Sequence, residues 1–209
     1  MPSYELATKQ YEAILFDFDG VLVDSEPVHF ECWREVLKPF GLELDWPTYR
    51  DQGIGISDRE LLAVLCRQVT PPLDVDVLVA EYPRKKALFR SLMLERRPFS
   101  ADVLDLISKL SQRRLGVVTS SGRAEVEPVL EAAGVRHAFE VAVFGGDVRR
   151  LKPAPDPYLL AVERLGVATA LVVEDSDAGE ASARAAGLDV LRIHHQREMA
   201  GLVRERLGL

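Results

Sequence analysis

From about residue 100 onward the chain alternates short aliphatic runs with stretches of helical apolar spacing, a pattern that few architectures accept. The runs Leu115–Val118, Val141–Phe144, Ala170–Val173 and Val190–Ile193 end in polar residues and read as strands, as does Ala13–Phe16 near the start. Between and after them, Ser100–Arg113, Ala124–Ala133, Pro157–Leu165, Ala178–Ala186 and Gln196–Leu207 predict helices, several closed by Gly134, Gly166, Gly187 or Gly208. Strand and helix in strict alternation predict an α/β fold with a parallel sheet covered on both faces. Asp156-Pro157 predicts a helix start with Asp156 as its cap, whereas Pro128 is tolerable only if its helix begins near it.

Between about residues 25 and 97 the texture changes to mostly helical, with breaks at Gly41, Pro47, Gly53, Gly55 and Pro71-Pro72, which predicts an inserted second domain. Ser57-Asp58-Arg59-Glu60 ahead of Leu61, Leu62, Val64 and Leu65 reads as a capping box opening one of its helices. At 209 residues and 47% hydrophobic the chain is long and apolar enough to bury a core without staples. Cys32 and Cys66 stand alone, with no Cys-x-x-Cys or Cys/His grouping, so neither a disulfide framework nor a zinc site is expected. A formal charge of -7 disfavours nucleic acid and anionic membranes as partners. Glu5, Lys9 and Glu12 interrupt the N-terminal apolar residues, so no signal peptide is read there. No apolar run nears the roughly 18 residues of a membrane span. A cytoplasmic location is therefore expected.

The run Ala13-Ile-Leu-Phe-Asp17-Phe-Asp19-Gly20 places two carboxylates two residues apart at the end of a buried strand, where side chains of that spacing share a side. Parallel sheets bind ligands outside the carboxyl ends of their strands, so these acids are expected to line a cleft, with Gly20 permitting a sharp exit. Taken alone, such acids also serve as turn residues. Three further elements fall at the same sheet edge: Thr119-Ser120, Lys152-Pro153 and Glu174-Asp175. Hydroxyls and backbone N–H groups at the second strand's end can hold phosphate oxygens. Four carboxylates in one cleft repel one another unless a cation neutralises them, and oxygen-only ligands suit Mg2+. Asp17, the backbone carbonyl of Asp19 and Asp175 match its demand for few protein ligands, with Lys152 as a further positive charge.

These four elements resemble the four motifs of the haloacid dehalogenase superfamily of phosphohydrolases. The stretches are Asp17-Phe-Asp19-Gly-Val-Leu-Val-Asp-Ser-Glu26, Thr119-Ser120, Leu151-Lys-Pro-Ala-Pro-Asp156 and Val173-Glu-Asp-Ser-Asp-Ala-Gly179, similar to the branch with beta-phosphoglucomutase and small-phosphate phosphatases. The resemblance implies a Rossmann-like catalytic core of residues 1–24 and 97–209 and a helical cap of residues 25–96. It also implies that Asp17 is the nucleophile, Asp19 the general acid/base, Thr119 and Lys152 the phosphate binders, and Asp17, Asp19, Glu174 and Asp175 the metal site. Arg97-Pro-Phe-Ser-Ala departs from the family at the cap's return, where a glycine usually follows the proline.

Two carboxyls make chemical sense, because a leaving alkoxide needs a proton and an attacking water must lose one, whereas a dehalogenase expelling halide needs no such acid. The expected activity is Mg2+-dependent hydrolysis of a small phosphorylated metabolite, with a phosphosugar mutase as the alternative. Receiver domains lack the long insertion, and a dead binding protein is disfavoured because no motif residue is missing. Gly20 and Ser120 join His29 and Arg59 as candidate substrate contacts, the last two on the insert. Trp33 reads as core of the insert, Arg84-Lys85-Lys86 as a solvated face, Cys32 and Cys66 as packing residues, and His194-His195 as surface. A monomer meets all of these requirements.

Overall fold

The computed structural model describes residues 10–54 and 56–209, so the N-terminal signal reading up to Lys9 and the break at Gly55 lie outside the described residues. In chain order the elements are β1 (Ala13–Phe16), α1 (Glu26–Leu37), α2 (Trp46–Gln52), α3 (Asp58–Cys66), α4 (Val75–Val79), α5 (Tyr82–Arg96) and α6 (Ala101–Lys109). There follow β2 (Arg114–Val118), α7 (Arg123–Ala132), β3 (Val141–Val143), α8 (Asp156–Leu165), β4 (Ala170–Glu174), α9 (Asp177–Ala185), β5 (Asp189–Arg192) and α10 (Gln196–Leu207). The chain divides into two compact units, one of residues up to Asp24 with Phe99–Arg123 and Ala133–Leu209, the other of Ser25–Pro98 with Ala124–Ala132.

The first unit is built on a five-stranded, all-parallel sheet in the order β3-β2-β1-β4-β5, the α/β fold that the alternation predicts. Ala13 and Leu15 share one face with Val141, Val143, Ala170 and Val172, and Tyr158, Ala161 and Leu165 of α8 and Ala183 of α9 complete that core. By the two-residue period, Ile14, Phe16, Leu115, Val117, Leu171 and Val173 take the opposite face, and all are buried, so both faces are covered. The edge strand β5 starts one residue earlier than its apolar run suggests. Ile193 nonetheless extends the ladder, donating its N–H to the Glu174 carbonyl at 2.8 Å.

Pro128 lies in the interior of α7, not near its start, and costs the helix one bond to the Ala124 carbonyl while Val126, Val129 and Leu130 stay buried. Asp156 does not cap α8 from outside. It is the first helical residue, and its carboxylate is taken by Arg150 at 2.9 Å, with Pro155 in the cap position.

The second unit packs α1 to α4 around Trp33, Val36, Leu37, Tyr49, Leu61, Leu62, Leu65 and Leu78. Pro47 begins a helix there instead of breaking one, sitting in the first turn of α2 behind the Asp45 cap. The expected capping box of α3 forms, Ser57 and Glu60 satisfying each other's backbone N–H groups. Arg97 ends α5 with a left-handed φ of 48°, a conformation that strains a residue with a Cβ. Among the described residues no helix is long and apolar enough to cross a membrane.

Candidate active site

Register builds the site. Phe16 pairs with Val117 and with Val173, so Asp17, the residue after β1, lies level with Val118 and with Glu174. Asp17 continues the parity of Ala13 and Leu15, and Glu174 that of Ala170 and Val172, so both carboxylates emerge on the sheet face that α8 covers. The loop leading into α8 delivers Lys152 to that face. Its Nζ donates to Asp17 Oδ1 at 2.6 Å, to Glu174 Oε1 at 2.6 Å and to the Val118 carbonyl at 2.8 Å, all three ammonium hydrogens thus having partners.

Glu174 is fully buried and surrounded by donors. Oε1 accepts from Lys152 and from the Tyr158 hydroxyl at 2.7 Å, and Oε2 accepts from the Asp175 and Ser176 N–H groups and the Ser176 hydroxyl at 3.1–3.2 Å. The carboxylate presses so closely on α9 that a Cβ at Gly179 would stand 1.8 Å from Oε1. Asp175 makes a similar demand on Gly20, where a Cβ would stand 1.9 Å from Asp175 Oδ2, and Gly20 also needs its φ of +75°.

Asp19 lies two residues beyond Asp17 in a turn closed by Gly20 N–H to the Val23 carbonyl at 2.8 Å, and its Oδ2 accepts from the Ser121 hydroxyl at 2.6 Å. Thr119 is buried at the end of β2, its Oγ1 accepting from Ser121 N–H at 3.0 Å, and Ser120 beside it is exposed. The site therefore collects Asp17, Lys152, Glu174 and Asp175 directly, with Asp19, Gly20 and Thr119 at the same edge. Ser121, Tyr158 and Ser176 complete it.

Charge is out of balance here. Burial would strip Lys152 of its proton, but Asp17 and Glu174 outweigh it and raise its pKa. Burial likewise works to raise Glu174, yet Lys152 and the ring of donors hold it below the usual carboxylate range. Asp17 goes the other way. Burial pushes its carboxyl well up against the pull of Lys152, and Glu174, Asp19 and Asp175 add to the rise. Burial, Glu174 and Asp19 together push Asp175 up to about 7. One lysine cannot neutralise this many acids. Oxygens of Asp17, Glu174 and Asp175 lie within 4.8 Å of one another, so the donor set fits a hard divalent cation. Since five donors already engage Glu174, Asp17 and Asp175 are the carboxylates better able to ligate directly.

The second unit holds the remaining candidates. His29 stacks on Phe89 with centroids 4.2 Å apart, its Nδ1 2.8 Å from Lys85 Nζ. Arg59 is exposed and paired with Asp76 at 2.7 Å. The basic run is not wholly a solvated face. Arg84 and Lys86 are exposed, but Lys85 is 3% exposed, sits 5.5 Å from the Trp33 and Phe89 ring centroids and reaches Asp58 Oδ2 at 3.3 Å. Trp33, Cys32 and Cys66 are buried, and His194 and His195 are exposed, as their patterns predict.

The sequence pattern of haloacid dehalogenase-like hydrolases matches residues 14–193. The chain is 33% identical over 191 residues to the fructose-1-phosphate phosphatase YqaB of Escherichia coli, covering 88% of this chain and 97% of that one. It is 32% identical over 180 residues to a phosphorylated carbohydrates phosphatase of Thermotoga maritima, covering 85% and 82%. The crystal structure of CbbY from Rhodobacter sphaeroides in complex with phosphate superposes with a TM-score of 0.72 at 30% identity, over 88% of this chain and 86% of that one.

Proposed function

The chain belongs to the haloacid dehalogenase-like hydrolases and is a phosphatase of that family; we propose that it hydrolyses monophosphates of small sugars through an aspartyl-phosphate at Asp17. Residues 1–24 and 97–209 act as the catalytic core and 25–96 as the cap. The observation that carries this reading is Lys152, whose ammonium touches Asp17 and Glu174 at 2.6 Å each and so brings positive charge to the carboxylate that must approach a phosphate. The relatives' activity on fructose 1-phosphate and phosphorylated carbohydrates supports a sugar phosphate as substrate.

Asp17, Asp175 and the Asp19 carbonyl would hold Mg2+, which when bound supplies charge neutralisation of the phosphate. Lys152 offsets charge on the transferring group, and Thr119 and Ser120 offer hydroxyl and backbone donors at the neighbouring strand end. Asp17 attacks phosphorus, Asp19 gives its proton to the departing sugar oxygen, and Asp19 then takes a proton from the water that releases Asp17. Glu174 holds Lys152 and anchors the start of α9.

Hydrolysis is favoured over transfer to a second sugar because a mutase needs cap cations for a second phosphate. Of the three groups suited to that, Arg59 already pairs with Asp76 at 2.7 Å and Arg84 with Glu81 at 3.7 Å, and His29 lies against Lys85. The test is a panel of phosphorylated metabolites with Mg2+, including fructose 1-phosphate and beta-glucose 1-phosphate with a bisphosphate primer. Inorganic phosphate is expected to appear faster than glucose 6-phosphate; the reverse ratio would make the enzyme a mutase.

A further inference from the structure

We propose that Ser121 is a positioning residue for the proton transfers: its hydroxyl holds Asp19 by Oδ2, so that Oδ1 is the oxygen that gives and takes the proton. The inference rests on the reading of Asp19 as the acid/base. It starts from a 2.6 Å hydrogen bond, Ser121 Oγ to Asp19 Oδ2, that joins residues 102 apart in sequence.

The serine is held at both ends of its own backbone. Its N–H donates to Thr119 Oγ1 at 3.0 Å, folding the residues after β2 back on the strand, and its carbonyl accepts from Gly145 N–H at 3.0 Å. Gly145 itself is clamped, because a Cβ there would stand 2.3 Å from the Ser120 carbonyl oxygen. Asp19 is fixed from the other side by its turn, in which the Phe18 carbonyl accepts from Leu22 N–H at 3.0 Å and Val23 N–H at 3.1 Å. Two pinned backbones thus meet through one hydroxyl and one carboxyl oxygen.

A free carboxyl rotates about its last bond and exchanges its oxygens. A hydroxyl donating to Oδ2 makes that oxygen an acceptor and leaves Oδ1 to carry the proton. In the first step a bond forms from Asp17 to phosphorus while the bond from phosphorus to the sugar oxygen breaks. The departing electron pair takes the proton from Asp19 Oδ1. In the second step the water oxygen bonds to phosphorus, its proton passes to Asp19 Oδ1, and Asp17 leaves as carboxylate. Placement matters most where the leaving group is a poor one, since a sugar alkoxide needs that proton and a nitrophenolate does not.

The experiment compares kcat/KM for fructose 1-phosphate and p-nitrophenyl phosphate, both with Mg2+, in wild type, Ser121→Ala, Ser121→Thr and Asp19→Asn. Ser121→Ala is expected to lose about 10- to 100-fold on the sugar ester and less than about threefold on the aryl ester. Ser121→Thr, which keeps the hydroxyl, should return the sugar ester to within about threefold of wild type. Because the readout is a ratio of two substrates in one sample, partial unfolding of a variant cancels. A selective loss in Asp19→Asn beside equal losses in Ser121→Ala overturns the role of Ser121 alone. Equal losses in Asp19→Asn overturn the acid/base reading and the proposal with it.

Discussion

The two units each bury a lysine, and the two are partnered differently. Lys152 in the sheet unit serves two carboxylates that are themselves buried, with Asp175 and Asp19 close by. Lys85 in the helical unit meets one carboxylate, Asp58, whose side chain is 39% exposed, together with His29 and two aromatic faces. Around Lys85 the charges nearly cancel, and the group is complete as it stands. Around Lys152 negative charge is in excess, and only protons or a cation can balance it. A buried lysine whose charge is matched needs no further ion, whereas one set among excess acids does.

The contrast breaks most readily on the lysines themselves. Lys152→Met should lower kcat/KM by about 10³-fold or more, since it removes charge stabilisation at the reacting phosphate. Lys85→Met should register mainly in stability, a loss of about 1 to 3 kcal/mol in denaturant melts, because it strips a charged partner from Asp58 and His29. Comparable losses of p-nitrophenyl phosphate turnover in the two variants would erase the distinction.

A pH series sharpens the same point. Asp175 is raised in the folded, metal-free protein from 3.8 to about 7, chiefly by burial and then by Glu174 and Asp19. Between about pH 4 and 7 the unfolded chain has therefore released a proton that the folded chain keeps, so Asp175's contribution to stability falls as pH rises through that window. Mg2+ competes with that proton, so the gain in Tm from saturating Mg2+ should grow from pH 5 to pH 8, and Asp175→Asn should abolish most of the growth. A Mg2+ effect independent of pH would contradict the charge imbalance.

The smallest expected effect lies in the helical unit. Burial pushes the Cys32 thiol up to about 12 despite the nearby Lys85, so Cys32 should resist thiol reagents at pH 8 in the native protein and react on unfolding. Rapid native labelling at Cys32 would show that this unit opens.

Much of the acidic sheet edge is legible in the sequence because its residues sit at the ends of strands, where aliphatic runs meet polar ones. Asp17, Thr119, Glu174 and Asp175 needed only the parallel alternation to be placed together, and Lys152 needed only a helix following β3. Ser121, Tyr158 and Ser176 were not legible. Their parts depend on which sheet face α8 covers and on how the loop after β2 folds back, and local spacing encodes neither. Lys85 hid for a related reason. Consecutive helical residues point about 100° apart, so only the rotation of α5 decides which of Arg84, Lys85 and Lys86 turns inward. At the interior Pro128 and the Asp156 start, packing and the Arg150 ion pair override the rules of local propensity.

Rapid acid quench of enzyme turning over fructose 1-phosphate with Mg2+, followed by mass spectrometry of its peptides, reads the aspartyl-phosphate itself. A phosphoryl group is predicted on Asp17, and neither adduct nor turnover in Asp17→Asn, whose amide nearly matches the carboxylate in shape but is not a nucleophile. An adduct on another residue, or steady turnover by Asp17→Asn free of wild-type enzyme, would contradict the account.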